Sequence, residues 1–389
     1  MRSIQEFRNI RLEPSKGIDA WIFSGGPIWP NFEQQTLIRQ CRRSVPVDDK
    51  PVEGTEQATV LEGPHIWCGY LPPHFGHFIA DQLSRLPLAL LNCPPEAKLL
   101  FSLPEGIGEP QDFFYDILET LGVTIDRVVI QRKEPLEVEL LYAAPLGETL
   151  FGKPDAEYLT ILEKLMDGLG FQANPEEDVY VSRARLPANL SSLAGESYLE
   201  ECFLKLGVKV IWPEKMTMRQ QLQTYSSARK LVFSEGSAIH GRQLLGEINQ
   251  DILVIERRKR YNMARDVLTP RCSKLDYISA IDGTVFVNPV PNGNLWQGLT
   301  VLDETRLIEE LLQAGIDLRP IWDGSVFRRR RDQEILAWIK RRLAFPPVGV
   351  EHEDIDSYHK IRLATVKASL ASIGLGDLFH YVMNQSNED

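Results

Sequence analysis

Cysteine is scarce and scattered in this chain. Its five residues, Cys41, Cys68, Cys93, Cys202 and Cys272, are odd in number and never form a Cys-x-x-Cys pair. That spacing argues against a disulfide framework or a zinc site and suits a reducing compartment. Long apolar runs are missing too: nothing approaches the roughly 20 residues of a membrane span, and the richest stretch, residues 86–91, contains Pro87. Residues 1–7 lack the apolar core of a signal peptide, so a cytoplasmic location is expected. Basic residues are outnumbered, 43 Lys and Arg against 54 Asp and Glu, for a net charge of −11. That balance excludes a sequence-independent nucleic-acid binder, and no nucleic-acid partner is expected. No Gly-x-x-x-x-Gly-Lys-Ser/Thr occurs, which removes a P-loop ATPase. The one Asp-x-Asp, Asp354-Ile355-Asp356, lies in an acidic stretch near the carboxyl end and reads as a helix cap rather than a metal ligand. No metal or cofactor is expected.

What is present is ordinary globular composition, 43% hydrophobic and 25% charged. At 389 residues the chain exceeds what one core usually supports, so two domains are expected. The first 60 residues hold short apolar patches broken by Pro and Gly and give no clear elements. From His77 to Leu91 the apolar residues Ile79, Leu83, Leu86 and Leu90 recur at spacings of four, three and four, predicting a helix kinked at Pro87. His77, Asp81 and Arg85 line another face. Strand-like segments follow at 98–101, 128–130 and 140–142, with a helix near 112–121, and 151–155 reads as a connection.

The second half alternates strand and helix more clearly. Strands are expected at 178–182, 208–212, 231–233 and 252–255, with helices between them. Thr217-Met218-Arg219-Gln220 is a capping box. This βαβαβ order predicts a parallel sheet with ligands at the carboxyl ends of its strands.

Three constellations carry chemistry. Ser234-Glu235-Gly236-Ser237-Ala238 puts small residues between a strand and a helix start, where free amides attract a diphosphate. A tight βα turn would use the same residues, and Glu235 would repel a phosphate, so ribose or sugar hydroxyls suit it better. Ser182-Arg183-Ala184-Arg185 places two guanidiniums after a strand, suited to a diphosphate or simply solvated. His77 and Asp81, four apart, make an acid/base pair or a satisfied helix start.

In this order the pieces resemble glycosyltransferase family 61, including its bacterial polysaccharide-synthesis members. The resemblance rests on His77-Phe78-Ile79-Ala80-Asp81 with Leu83 and Arg85, on Tyr180-Val181-Ser182-Arg183, and on Trp212-Pro213-Glu214-Lys215-Met216. It rests most on residues 227–238, where many members carry His in place of Glu235 and Asn near the position of His240. It implies two facing Rossmann-like domains in a GT-B arrangement: an acceptor-side domain at 1–150, a nucleotide-sugar domain at 151–325 and helices at 326–389 that pack back on the first domain. It also implies an inverting, metal-independent transfer from a nucleotide sugar to a glycan or lipid-linked acceptor, as in capsular polysaccharide synthesis. Asp81 is the expected base, with His77 orienting it or serving instead and Glu235 next. Arg183, Arg185, Ser234, Gly236, Ser237 and His240 are expected around the donor. The alternatives are a non-catalytic polysaccharide-assembly or glycan-binding protein, or a phosphoryl or pyruvyl transferase on a similar frame. The basic helix at 327–345 either rests on anionic lipid or, more commonly for such a pattern, packs its apolar side on its own domain.

Overall fold

The structure, a computed structural model, describes residues 3–19, 22–171, 173–187, 190–289, 297–345 and 355–385; Asp354 lies outside them. The unassigned amino-terminal region holds four strands and the start of a fifth. β1 (Gln5–Asp19) and β2 (Ile22–Pro27) precede a two-residue pair, β3 (Cys41–Arg42) and β4 (Val45–Pro46), and then the long β5 (Thr59–Tyr70). With β6 (Lys98–Ser102), β7 (Val128–Gln131) and β8 (Leu136–Ala143), they form a six-stranded sheet of order β2-β1-β8-β5-β6-β7. β5 to β8 run parallel, while β1 and β2 are antiparallel additions.

This sheet is not the open Rossmann-like layer expected. β7 ends level with Tyr70, through the pairings of Gln131 with Ser102 and of Ser102 with Tyr70, whereas β8 begins opposite Thr59. A flat sheet would separate those points by about 36 Å along β5, yet residues 132–135 span about 17 Å at most. The sheet therefore curls into a half-barrel, and Gln131 Nε2 donates to the Leu12 carbonyl at 3.0 Å across its mouth. The period of two divides the side chains: Trp67 and Leu100 join Leu12, Val138 and Leu141 in one core, while Ile66, Cys68, Leu99 and Phe101 face another.

The second sheet is fully parallel: β9 (Glu177–Val181), β10 (Lys209–Ile211), β11 (Ala228–Ser234), β12 (Asp251–Ile255) and β13 (Lys274–Ile278), in the order β10-β9-β11-β12-β13. The chain winds outward one way from β9 to β10, then crosses back to β11 and continues the other way. The boundary between β9 and β11 is thus the topological switch point, where a crevice opens outside the carboxyl ends of the strands. Thr217 caps the helix Met218–Ser227 as the sequence foretold, with both arms of the box formed.

The two sheets share one hydrophobic core. Ile66, Phe78 and Phe101 from the first half pack in the same cluster as Val179, Leu231, Phe233 and Ile239 from the second. Among the described residues, the carboxyl-terminal helices pack on the second half rather than back on the amino half as expected. Gly324–Ala344, Ile355–Ser372 and Leu378–Gln385 cover the hairpin β14 (Ile281–Val285) and β15 (Leu299–Leu302). Among the described residues that cluster draws on no buried position before Ala194. Ile335, Trp338 and Ile339 are spent in it, and Arg328 and Arg330 pair with Glu304 and Glu201. The apolar side of 327–345 is therefore inside the molecule rather than free for lipid. No described helix is long and apolar enough to cross a membrane.

Candidate active site

The chain leaves β5 at Tyr70 and enters a helix that changes type three times. Phe75–His77 is α, Phe78–Gln82 is π, Leu83–Arg85 is 3-10 and Leu86–Asn92 is α again. Pro87 lies in the first turn of the last piece, where its missing N–H costs nothing; it restarts the helix rather than kinking a continuous one. The whole π turn is buried, and such turns recur at functional sites.

His77 Nδ1 lies 2.9 Å from Asp81 Oδ2. Arg42, not singled out from the sequence, grips the same carboxylate with Nε at 3.0 Å and Nη2 at 2.7 Å. The Asp81 side chain is 1% exposed and that of His77 43%. Burial pushes the Asp81 carboxyl up, but the hydrogen bonds from His77 and Arg42 outweigh it and hold the carboxyl below its usual range. An ionised Asp81 fixes His77 with Nδ1 protonated, leaving Nε2 as the acceptor on a half-exposed ring.

Arg42 arrives through a tight turn in which Arg43 and Ser44 are left-handed, at φ 48° and 64°. Arg85 is fully buried and anchors the loop that carries it, donating to the Ile38 carbonyl at 2.8 Å and to Gln40 Oε1 at 3.1 Å. Gln40 Nε2 in turn donates to the Asp81 carbonyl at 2.8 Å. The face read from spacing, His77, Asp81 and Arg85, is thus one network with the loop beneath it.

The facing wall is the switch-point crevice of the second sheet. Arg183 follows β9 and is 9% exposed. A Cβ built on Gly236, just past β11, would fall 2.0 Å from Arg183 Nη1. Gly236 is extended, at φ 177°, so close approach rather than backbone freedom requires glycine there. Arg183 Nη2 donates to the Ser191 carbonyl at 2.9 Å, whereas its buried Nε has no partner among the described residues. Burial lowers its pKa, and Glu196 and Glu235 oppose that. Arg257, two residues past β12 as Arg183 is two past β9, donates to Ser191 Oγ. Its pKa is pushed down to about 9 by burial, with Arg183 and Arg258 adding. Both arginines remain charged at neutral pH, crowded together, and an anion between them would offset both their burial and their mutual repulsion.

Glu235 does not face this crevice as a free carboxylate. It is fully buried and ion-paired with Arg258, whose Nε donates to Oε1 at 2.6 Å; Oε2 accepts the backbone N–H groups of Arg257 and Arg258 at 2.7 and 3.0 Å. A carboxylate whose two oxygens are both held by Arg257 and Arg258 cannot also hold ribose or take a proton from an acceptor. Arg185 likewise stands apart, exposed, with its guanidinium 3.4 Å from the centroid of the Trp212 ring. Ser234 is buried at the end of β11, and Ser237 is half-buried after Gly236.

His240 joins the walls. A Cβ on Gly76 would come 2.8 Å from His240 Cδ2 and 3.2 Å from Ser237 Cβ, so the start of the His77 helix lies directly on the 3-10 helix Ser237–Leu244. The His240 pKa is pushed down to about 4, chiefly by burial, so the ring is neutral at pH 7, with Nδ1 3.3 Å from Gln243 Oε1. Across the junction, His74 is held below its usual range by desolvation, by His77 and by Arg183, although its ring keeps an exposed face.

Residues 75–242 match the family model Glycosyltransferase 61. The match opens at the helix that carries His77 and Asp81 and closes on the helix that carries His240, so it spans both walls. Arg42, Arg257 and Arg258 lie outside the Glycosyltransferase 61 match, as does the half-barrel's outer strand pair. No curated protein matches the chain. Arg42 had no local signal, since it sits among unassigned loops. Arg257 had one: it stands after β12 where Arg183 stands after β9.

Proposed function

We propose that this protein transfers a sugar from a nucleotide-sugar donor to a hydroxyl of a glycan or glycolipid, by a single inverting displacement without a metal. The observation that carries the reading is the buried, incompletely partnered Arg183 against Gly236 at the switch point, facing the His77–Asp81 pair. Arg183 and Arg257 would take the donor diphosphate, together with the amides after Gly236, and neutralise the charge it gains on leaving. The acceptor oxygen would attack the anomeric carbon as the bond from that carbon to the diphosphate oxygen breaks and the electron pair departs with the phosphate. The acceptor proton would pass to His77 Nε2.

This exchanges the roles expected from sequence. Asp81 is held below its usual range and gripped by Arg42, so it is suited to fixing the tautomer of His77 and stabilising the imidazolium, not to taking the proton itself. The same grip makes it a poor nucleophile, which favours one displacement over two. The engagement of Glu235 by Arg258 also accounts for its departure from the family pattern. That departure therefore gives no special support to a non-catalytic role.

Calorimetric titration with UDP, GDP and CMP tests the donor half. One of the three should bind, and Arg183→Met should weaken it at least about tenfold. Equal affinity in the variant, or no binding of any nucleotide, would remove the reading.

A further inference from the structure

A second concavity lies on the same sheet edge, over the carboxyl ends of β12 and β13. It holds about 460 Å³, within the size range of ligand sites. Lys259, Arg260 and Arg265 line it from the loop after β12, Arg306 lines it from the helix Glu304–Gln313, and its acids are Glu256, Asp276 and Glu310. The acids are already engaged: Glu256 Oε1 accepts the Asn262 N–H at 3.2 Å, Glu310 Oε2 the Ser279 N–H at 2.7 Å, and Asp276 pairs with Lys274 at 2.6 Å. Of the cations, Arg265 is spent on Asn262 Oδ1, at 2.6 Å, and on the Tyr277 ring; the other three are held by no acid among the described residues. The side chains of Lys259 and Arg260 are exposed and have no hydrogen bond or ion pair among the described residues. Arg306 reaches only the Ser279 carbonyl, at 3.5 Å. The charge left for a visitor is positive, in a chain whose net charge is −11.

The loop is held in this shape at a cost. Arg260, Asn262 and Ala264 are all left-handed, at φ 59°, 47° and 61°, each against about 1 kcal/mol of steric preference. Three ties hold it: the Asn262 bond to Glu256, the Tyr277 hydroxyl on the Met263 carbonyl at 2.6 Å, and Arg258 against the Met263 sulfur at 3.4 Å. Arg258 is also the partner of Glu235, so the loop's shape is coupled to the crevice next door.

We propose that this pocket binds the carboxylate or phosphate groups of an acidic oligosaccharide, presenting that chain beside the switch-point crevice. That the ligand is a saccharide rests on the transfer proposed above; the preference for anions does not. Pre-set cations with little other employment bind an anion with small reorganisation, and neutral sugars gain none of that attraction.

Titration of the full chain with a galacturonate oligomer and with a neutral galactose oligomer of equal length tests this, with nucleotide affinity measured separately. The galacturonate oligomer should bind at least about tenfold tighter, and added salt should erode the difference. The exposed double variant Lys259→Ala, Arg260→Ala should lose that preference while nucleotide affinity holds. Equal binding of the two oligomers, binding of neither, unchanged preference in the variant, or competition between nucleotide and galacturonate would each overturn the proposal. Loss of the transfer reading with the acidic preference intact would leave an anion site without its assigned reaction.

Discussion

At the scale of single residues, the site depends on which group keeps a free face. His77 and Asp81 are both polar and four apart, and spacing alone treats them as equals. Arg42 breaks that symmetry by engaging both oxygens of Asp81, so the roles separate in the two variants. His77→Ala should lower turnover by about 10² to 10⁴, the usual worth of a positioned base, with nucleotide affinity unchanged. Asp81→Asn should also lower turnover, and should perturb the acid limb of the pH–rate profile because the tautomer of His77 is no longer fixed. Turnover by His77→Ala equal to that of wild type would return the proton to another acceptor. Gly236→Ala probes the other wall: its methyl would meet Arg183 Nη1 at 2.0 Å. The buried guanidinium must swing away, so nucleotide affinity should fall by about tenfold or more, alongside a stability loss of about 1–3 kcal/mol. Tight nucleotide binding by this variant would show that the contact is only packing.

At the scale of elements, local rules held where one face of a segment meets solvent and failed where none does. Thr217 Oγ1 accepts from the Gln220 N–H at 3.2 Å, and Gln220 Oε1 accepts from the Thr217 N–H at 2.9 Å. Thr217→Ala should cost about 1 kcal/mol, seen as a lower denaturation midpoint at constant slope. A midpoint equal to that of wild type would mean that Asp116 Oδ2, which accepts the Met218 N–H at 2.6 Å, suffices as the cap. The His77 helix is the contrary case. Its apolar stripe predicted an amphipathic α-helix kinked at Pro87, but all of Phe78–Gln82 is buried. Burial on every side removes the contrast that period 3.6 depends on, and the turn relaxes to π. The long β5 was missed for a related reason. Its first half is exposed or half-buried and interrupted by Gly63 and Pro64, and only residues 65–70 are continuously buried.

At the scale of the whole molecule, the halves behave as one body because they share a core and meet at His240. Stability should therefore respond to pH through that contact. His240 sits near pKa 4 in the folded chain against 6.5 when free. Between those values the unfolded chain binds a proton that the folded chain refuses. Stability is thus full above pH 6.5 and falls as pH drops toward 4, by up to about 3 kcal/mol from this group. Urea denaturation of wild type and His240→Gln at pH 7 and pH 5 should show the variant losing less stability on acidification. Parallel losses in both proteins would assign the dependence to other groups.

The sequence by itself determined the parallel sheet, four of its five strands, the capping box and the two turns, at Arg183 and at Gly236, that meet at its carboxyl edge. Alternation of strand and helix with small residues at strand ends is local information, readable without partners. Only the tertiary structure decided that the first sheet curls, that Glu235 belongs to Arg258, and that Asp81 belongs to Arg42, 39 residues away. Those outcomes depend on which distant charge arrives first at a buried carboxylate and on how far a four-residue connection can reach. No window along the chain contains both terms.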